Sequence, residues 1–102
     1  AGRWRMYWES RGAADVPQVV ASAISSNMID WELEEGPRIS GFDGVGAPRY
    51  VPLPDGRGRI YCIASEYDKG GRVNGKRTSQ SVISAVTTDG LNFEIEVLSI
   101  KK

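Results

Sequence analysis

Apolar and polar residues alternate along this chain in short bursts instead of lying in helical stripes. Arg3-Trp4-Arg5-Met6-Tyr7-Trp8 alternates, residues 19–25 are rich in β-branched side chains, and Trp31-Glu32-Leu33-Glu34 alternates again. The same signals return over residues 49–53, 59–64, 81–87 and 93–97. Between them lie segments with turn chemistry, namely Glu35-Gly36-Pro37, Pro54-Asp55-Gly56 and Asp89-Gly90. No stretch of ten residues carries a helical period. The pattern predicts an all-β chain of seven strands.

Comparison of the chain with itself groups these strands. Gly2-Arg3-Trp4-Arg5-Met6-Tyr7 lies over Gly56-Arg57-Gly58-Arg59-Ile60-Tyr61 at a shift of 54 residues. The segment from Ser22 to Glu34 lies over that from Ser84 to Glu96 at a shift of 62. The difference falls between the second and third strands, where the second copy carries a longer polar loop over residues 66–80. A repeat of this period made of four short antiparallel strands is that of a β-propeller blade. Residues 1–36 then form a first blade without its inner strand, and residues 37–102 a second blade that contains one, over residues 47–53. Two adjacent blades leave two flat faces and an open edge. The 102-residue chain therefore reads as one propeller fragment that self-associates into a five- or six-bladed ring, with a trimer giving six blades.

Composition narrows the chemistry. The chain has 13 basic and 13 acidic side chains, no histidine and one cysteine. Histidine relays, imidazole metal sites and thiolate clusters are excluded, which leaves carboxylates to carry any catalysis. Balanced charge gives no basic excess for nucleic acid or an anionic membrane, and the apolar runs are too short to span a bilayer. Gly70-Gly71-Arg72-Val73-Asn74-Gly75-Lys76 fits the start of a phosphate-binding loop, but Arg77 stands where a magnesium-binding Ser or Thr is required and a strand follows. No metal or cofactor is expected. The basic loop with Lys69, Arg72, Lys76 and Arg77 suits contact with an anion or an acidic sugar.

The Pro-containing inner strand, the Asp-Gly turn, the Arg-x-Arg-(Met/Ile)-Tyr strand, the Ser-Ala-(Ile/Val)-(Ser/Thr) strand and the closing Asp89-Gly90-Leu91-Asn92-Phe93 resemble blades of arabinanase- and fructosidase-like glycoside hydrolases. The Thr88-to-Phe93 turn, with its weaker copy from Ser26 to Trp31, is also similar to sialidase repeats. The resemblance implies a carbohydrate ligand bound at one end of a central channel. It also places essential aspartates just before a proline at the start of inner strands, and the matching dipeptide here is Ala47-Pro48. Alanine is neither base nor nucleophile. The expected function is therefore a non-catalytic carbohydrate-binding or assembly module. The alternative is a glycoside hydrolase whose site forms on oligomerisation or in a longer chain.

At the channel end, Asp43, Glu9 and Glu66 are the weak candidates for catalytic carboxylates, since glycoside hydrolysis needs two such groups. Trp8, Arg38, Asp43, Arg49 and Tyr67 are the candidates for sugar contact, the aromatics as stacking platforms and the arginines as hydroxyl donors. Most aromatics in alternating strands, including Trp4, Trp31 and Phe93, are expected to pack between blades.

Overall fold

A computed structural model describes residues 2–11, 16–69 and 71–96. Among these residues it has seven strands in two antiparallel sheets, as the alternation predicts. The first sheet has the order β1 (Trp4–Ser10), β2 (Val19–Ser25), β3 (Glu32–Leu33). The second has the order β4 (Gly44–Pro52), β5 (Gly58–Tyr67), β6 (Arg77–Thr87), β7 (Phe93–Glu96). Each sheet is a simple meander in which chain neighbours are sheet neighbours. One helical turn, α1 (Gly71–Asn74), sits in the β5–β6 connection.

Three boundaries differ from the sequence expectation. The loop expected over residues 66–80 is shorter, because the polar run Ser79-Gln80-Ser81 pairs with Glu66, Ser65 and Ala64 and lengthens the β5–β6 hairpin. Polar side chains read as loop, yet an exposed hairpin end has no face to bury and accepts them. The inner strand starts earlier than expected, at Gly44, and is interrupted by a bulge between Gly46 and Arg49. Ala47 occupies this bulge with φ 51°. The first sheet also gains backbone pairing beyond β3: Glu34 N–H donates to the Ser22 carbonyl at 3.0 Å and Val20 N–H to the Ile39 carbonyl at 3.0 Å. Val97, expected in the last strand, lies outside the described residues.

The repeat extends to side-chain geometry. Arg5 donates through Nε and Nη2 to Glu34 at 2.8 and 3.0 Å, and Ser22 Oγ donates to the same carboxylate at 2.8 Å. In the second sheet Arg59, Ser84 and Glu96 repeat this clamp at 2.8, 3.0 and 2.9 Å. One clamp ties β1 to the end of β3 across β2, and the other ties β5 to β7 across β6. The closing turns match as well. Asp89 Oδ1 accepts the Leu91 and Asn92 N–H groups, while Asn27 Oδ1 accepts those of Ile29 and Asp30. Gly90 with φ 79° has Met28 with φ 64° as its counterpart. Four donors, the Asn92 and Leu91 N–H groups and the Asn92 and Thr87 side chains, hold the Asp89 carboxyl far below the usual range.

The core lies between the sheets. Val20 meets Val45, Ile60, Cys62 and Ala85, with Ile39 beside them and Tyr7, Phe42, Ile83 and Phe93 at the margin. Register explains this sidedness. On β5, Ile60 and Cys62 face the first sheet, so Arg59, Tyr61 and Ile63 must face away from it. On β1 the assignment is reversed in use: Arg5 and Tyr7 meet the second sheet, and Trp4, Met6 and Trp8 face away. Tyr7 stacks on Tyr50 with centroids 5.4 Å apart and meets the Phe93 edge at 5.7 Å. Its hydroxyl donates to the Gly90 carbonyl at 2.7 Å, and Arg5 Nη1 to that of Asp89 at 3.3 Å. Burial pushes the Tyr7 phenol up to about 12. Gly90 is required here twice over, by its φ and because an added Cβ would overlap Arg5 Nη1.

Two outcomes follow. Gly90→Ala is expected to lower stability by about 1–3 kcal/mol in chemical denaturation, through φ strain and displacement of Arg5. The Glu34 carboxyl is held below its ordinary value, first by Arg5 and then by Ser22. Its contribution is thus present above the unfolded carboxylate pKa and lost as pH falls through the lower folded one. Glu34→Gln should cost about 1 kcal/mol near neutral pH, and the gap to the unsubstituted protein should close in acid.

Candidate functional site

The meander brings the ends of β1 and β5 and the starts of β2, β4 and β6 to the same end of the two sheets. Glu9, Asp43, Glu66 and Tyr67 all lie there. Glu9 and Glu66 are strand residues instead of loop residues, since β1 and β5 run to Ser10 and Tyr67. Glu9 Oε2 accepts from Gln18 Nε2 at 3.1 Å and pairs with Arg11 at 2.8 Å, and its other oxygen packs against Gly46. Gln18 in turn accepts Val45 N–H through its carbonyl at 3.1 Å, so this cluster joins the two sheets.

Asp43 and Glu66 form a second carboxylate group. Asp43 Oδ2 accepts the Tyr67 N–H at 2.8 Å, which fixes the carboxyl opposite the end of β5. A hydrogen bond from Glu66 to Asp43, with repulsion between the two ionised forms, raises the Glu66 pKa. Beside them, Asp68 Oδ1 accepts the Lys76 N–H at 3.1 Å and closes the β5–β6 connection. The strand β6 begins at Arg77, where a phosphate-binding loop would lead into a helix.

The five residues predicted for sugar contact do not converge. Asp43 and Tyr67 share the end just described. Arg38 donates through Nη2 to the Glu35 and Gly36 carbonyls, and its Nε is buried without a partner. Trp8 lies on the free face of the first sheet. Arg49 lies on the free face of the second, opposite Tyr61, and its Nη1 reaches the Pro48 carbonyl at 3.1 Å. The bulge at Ala47 re-aims the residues after it and puts Arg49 on this face. A shallow groove of about 250 Å³ on this second face is lined by Ala47, Arg49, Tyr61, Cys62, Ile63 and Val82. Burial raises the Cys62 thiol to about 11, which keeps it protonated and unreactive at neutral pH.

Two larger depressions are related by the repeat. One of about 350 Å³ is bordered by Arg3, Ser25, Trp31 and Glu32, and one of about 590 Å³ by their counterparts Arg57, Thr87, Phe93 and Glu94. Features that recur in both copies belong to the architecture of the unit. Among the described residues no group of three or more Cys, Asp or Glu is placed to hold a metal ion, and no helix is long and apolar enough to cross a membrane.

No family model matches the sequence, and no curated protein or solved structure is similar to it.

Because its folded pKa is raised, Glu66 supports the fold fully below the unfolded glutamate value and loses that support as pH rises through the folded value. Glu66→Gln should therefore raise the denaturation midpoint near neutral pH and leave it unchanged at about pH 3, measured by urea titration across the range.

Proposed function

We propose that the chain is a non-catalytic carbohydrate-binding or assembly module, built from two β-propeller blades of the glycosidase-like kind and closing into a ring with further copies. The observation that carries this reading is the repeat of side-chain geometry: Arg5, Tyr7, Val20 and Ser22, on the surface of the first sheet that docks on the second, recur as Arg59, Tyr61, Val82 and Ser84 on the outer surface of the second. In the clamp formed by Arg5, Ser22 and Glu34, 12 % of the Glu34 side chain is exposed against 33 % of Glu96 in the matching clamp, while the two arginines differ little at 27 and 31 %. A surface built to be covered and left open supports association. Asp43 and Tyr67, held together at one sheet end, are the part of the predicted sugar site that a channel mouth in such a ring would use.

The carboxylates support binding over hydrolysis. The two catalytic groups of a glycosidase stand roughly 5–9 Å apart across the scissile bond. Glu66 and Asp43 share a hydrogen bond, and Glu9 is engaged by Arg11 and Gln18. The alternative, a glycoside hydrolase with Asp43 in its site, is tested directly: turnover of aryl-glycosides abolished by Asp43→Asn would establish it and overturn the non-catalytic reading.

For the binding half, a glycan-array screen is expected to return a saturable sugar ligand whose affinity falls about tenfold in Tyr67→Ala. No ligand on the array would reduce the reading to assembly alone. Native mass spectrometry at micromolar concentration tests the assembly half, and a multiple of the chain mass of 11.2 kDa is the expected result.

A further inference from the structure

The intrachain contact between the sheets is a template for a contact between chains. It has two sides. One is the Arg5, Tyr7, Val20 and Ser22 face of the first sheet. The other is the Tyr50, Ile60 and Cys62 face of the second with its Thr87–Gly90 turn. At the repeat shift, the first side recurs as Arg59, Tyr61, Val82 and Ser84, which point away from the core on the outer face of the second sheet. The second side recurs as Trp4, Met6 and Trp8 with the Ser25–Met28 turn, on the outer face of the first sheet.

Both recurring sides are open. Tyr61 is 36 % exposed where Tyr7 is half-buried, and Trp4 is 45 % exposed. Arg59 uses Nε and Nη2 on Glu96, as Arg5 does on Glu34, which leaves Nη1 in the position that Arg5 uses for the neighbouring turn.

We propose that the Arg59–Tyr61–Val82 face binds a second copy of this chain head to tail, seating that copy's Trp4 and Ser25–Met28 turn against Tyr61. The proposal rests on the assembly reading above and specifies its contact.

Substitutions at the two matching positions shape the fit. In the template, Tyr50 lies over Gly58, whose missing side chain makes room for its ring, and stacks on Tyr7. Trp4 is the counterpart of Gly58, so the aromatic surface that would cover Tyr61 comes from the first-strand residue itself. At the turn, Met28 stands where the template has Gly90. Its left-handed φ directs the carbonyl as Gly90 does, but its Cβ occupies the place that Arg5 Nη1 takes against Gly90. Tyr7 Oη stands 3.2 Å from the added Cβ position at Gly90, a tight contact, so the Tyr61 hydroxyl reaches its acceptor, the Met28 carbonyl, only by shifting a few tenths of an ångström. The Arg59 contact to the turn is lost. The intermolecular contact is consequently a weaker version of the intramolecular one, and a head-to-tail contact of a single type can repeat until it closes.

Sedimentation velocity of the full chain over a micromolar concentration range tests this. The expected results are a multiple of the monomer mass, a blue shift of tryptophan emission as concentration rises, a dissociation constant weakened about tenfold or more in Tyr61→Ala and in Val82→Lys, and a tightened one in Met28→Gly. Tyr61 and Val82 are exposed, so both variants should keep the far-ultraviolet dichroism of the parent. A monomer at every concentration overturns the proposal together with the assembly reading. An oligomer whose dissociation constant is the same in all three variants overturns this seat and leaves the assembly reading standing.

Discussion

The hold of Arg5 and Tyr7 on the Asp89-Gly90 turn is the constraint around which the rest is arranged. A single meander of three or four short strands has one face too many to bury. Here the two meanders solve that for each other only along their shared face, where Tyr7, Tyr50 and Phe93 close over Ile60 and Cys62. The turn is polar and the strand brings a cation and a phenol to its carbonyls, so the desolvated edge of the contact is satisfied while its centre stays apolar. Register does the rest: with Ile60 facing in, Tyr61 has no choice but to face out.

Arginine–glutamate pairing across each sheet fixes the side chains that its surface presents. Arg5 reaches Glu34 from the far strand, and Ser22 supplies a third contact from the strand between. A guanidinium held by two parallel bonds loses little further entropy when its remaining nitrogen meets a neighbour's carbonyl. The Arg5 clamp thus presents a ready donor to the Asp89 carbonyl.

Much of this was legible in the residues. Alternation located every strand, and the Asp-Gly and Gly-Pro signals located the turns. The self-comparison paired Arg5 with Arg59, Ser22 with Ser84 and Glu34 with Glu96, which the geometry matches bond for bond. Less legible was anything that depends on which way a side chain faces. Ser79-Gln80-Ser81 reads as loop because an exposed hairpin end lacks apolar alternation. The bulge at Ala47 carries no local signal beyond the following proline, yet it decides the side on which Arg49 appears. The gathering of Asp43, Glu66 and Tyr67 at one end followed from strand order, whereas the spread of Trp8, Arg38 and Arg49 over three separate surfaces did not.

The left-handed backbone at Met28 gives the molecule a graded edge. A turn of the same shape carries glycine where it meets its own chain and methionine where it faces outward. One β-carbon then fills, at the outer turn, the space that the Arg5 guanidinium occupies at the inner one. Two turns of the same shape thus differ in what can lie beside them, and only the glycine-bearing one can take a cation at its back.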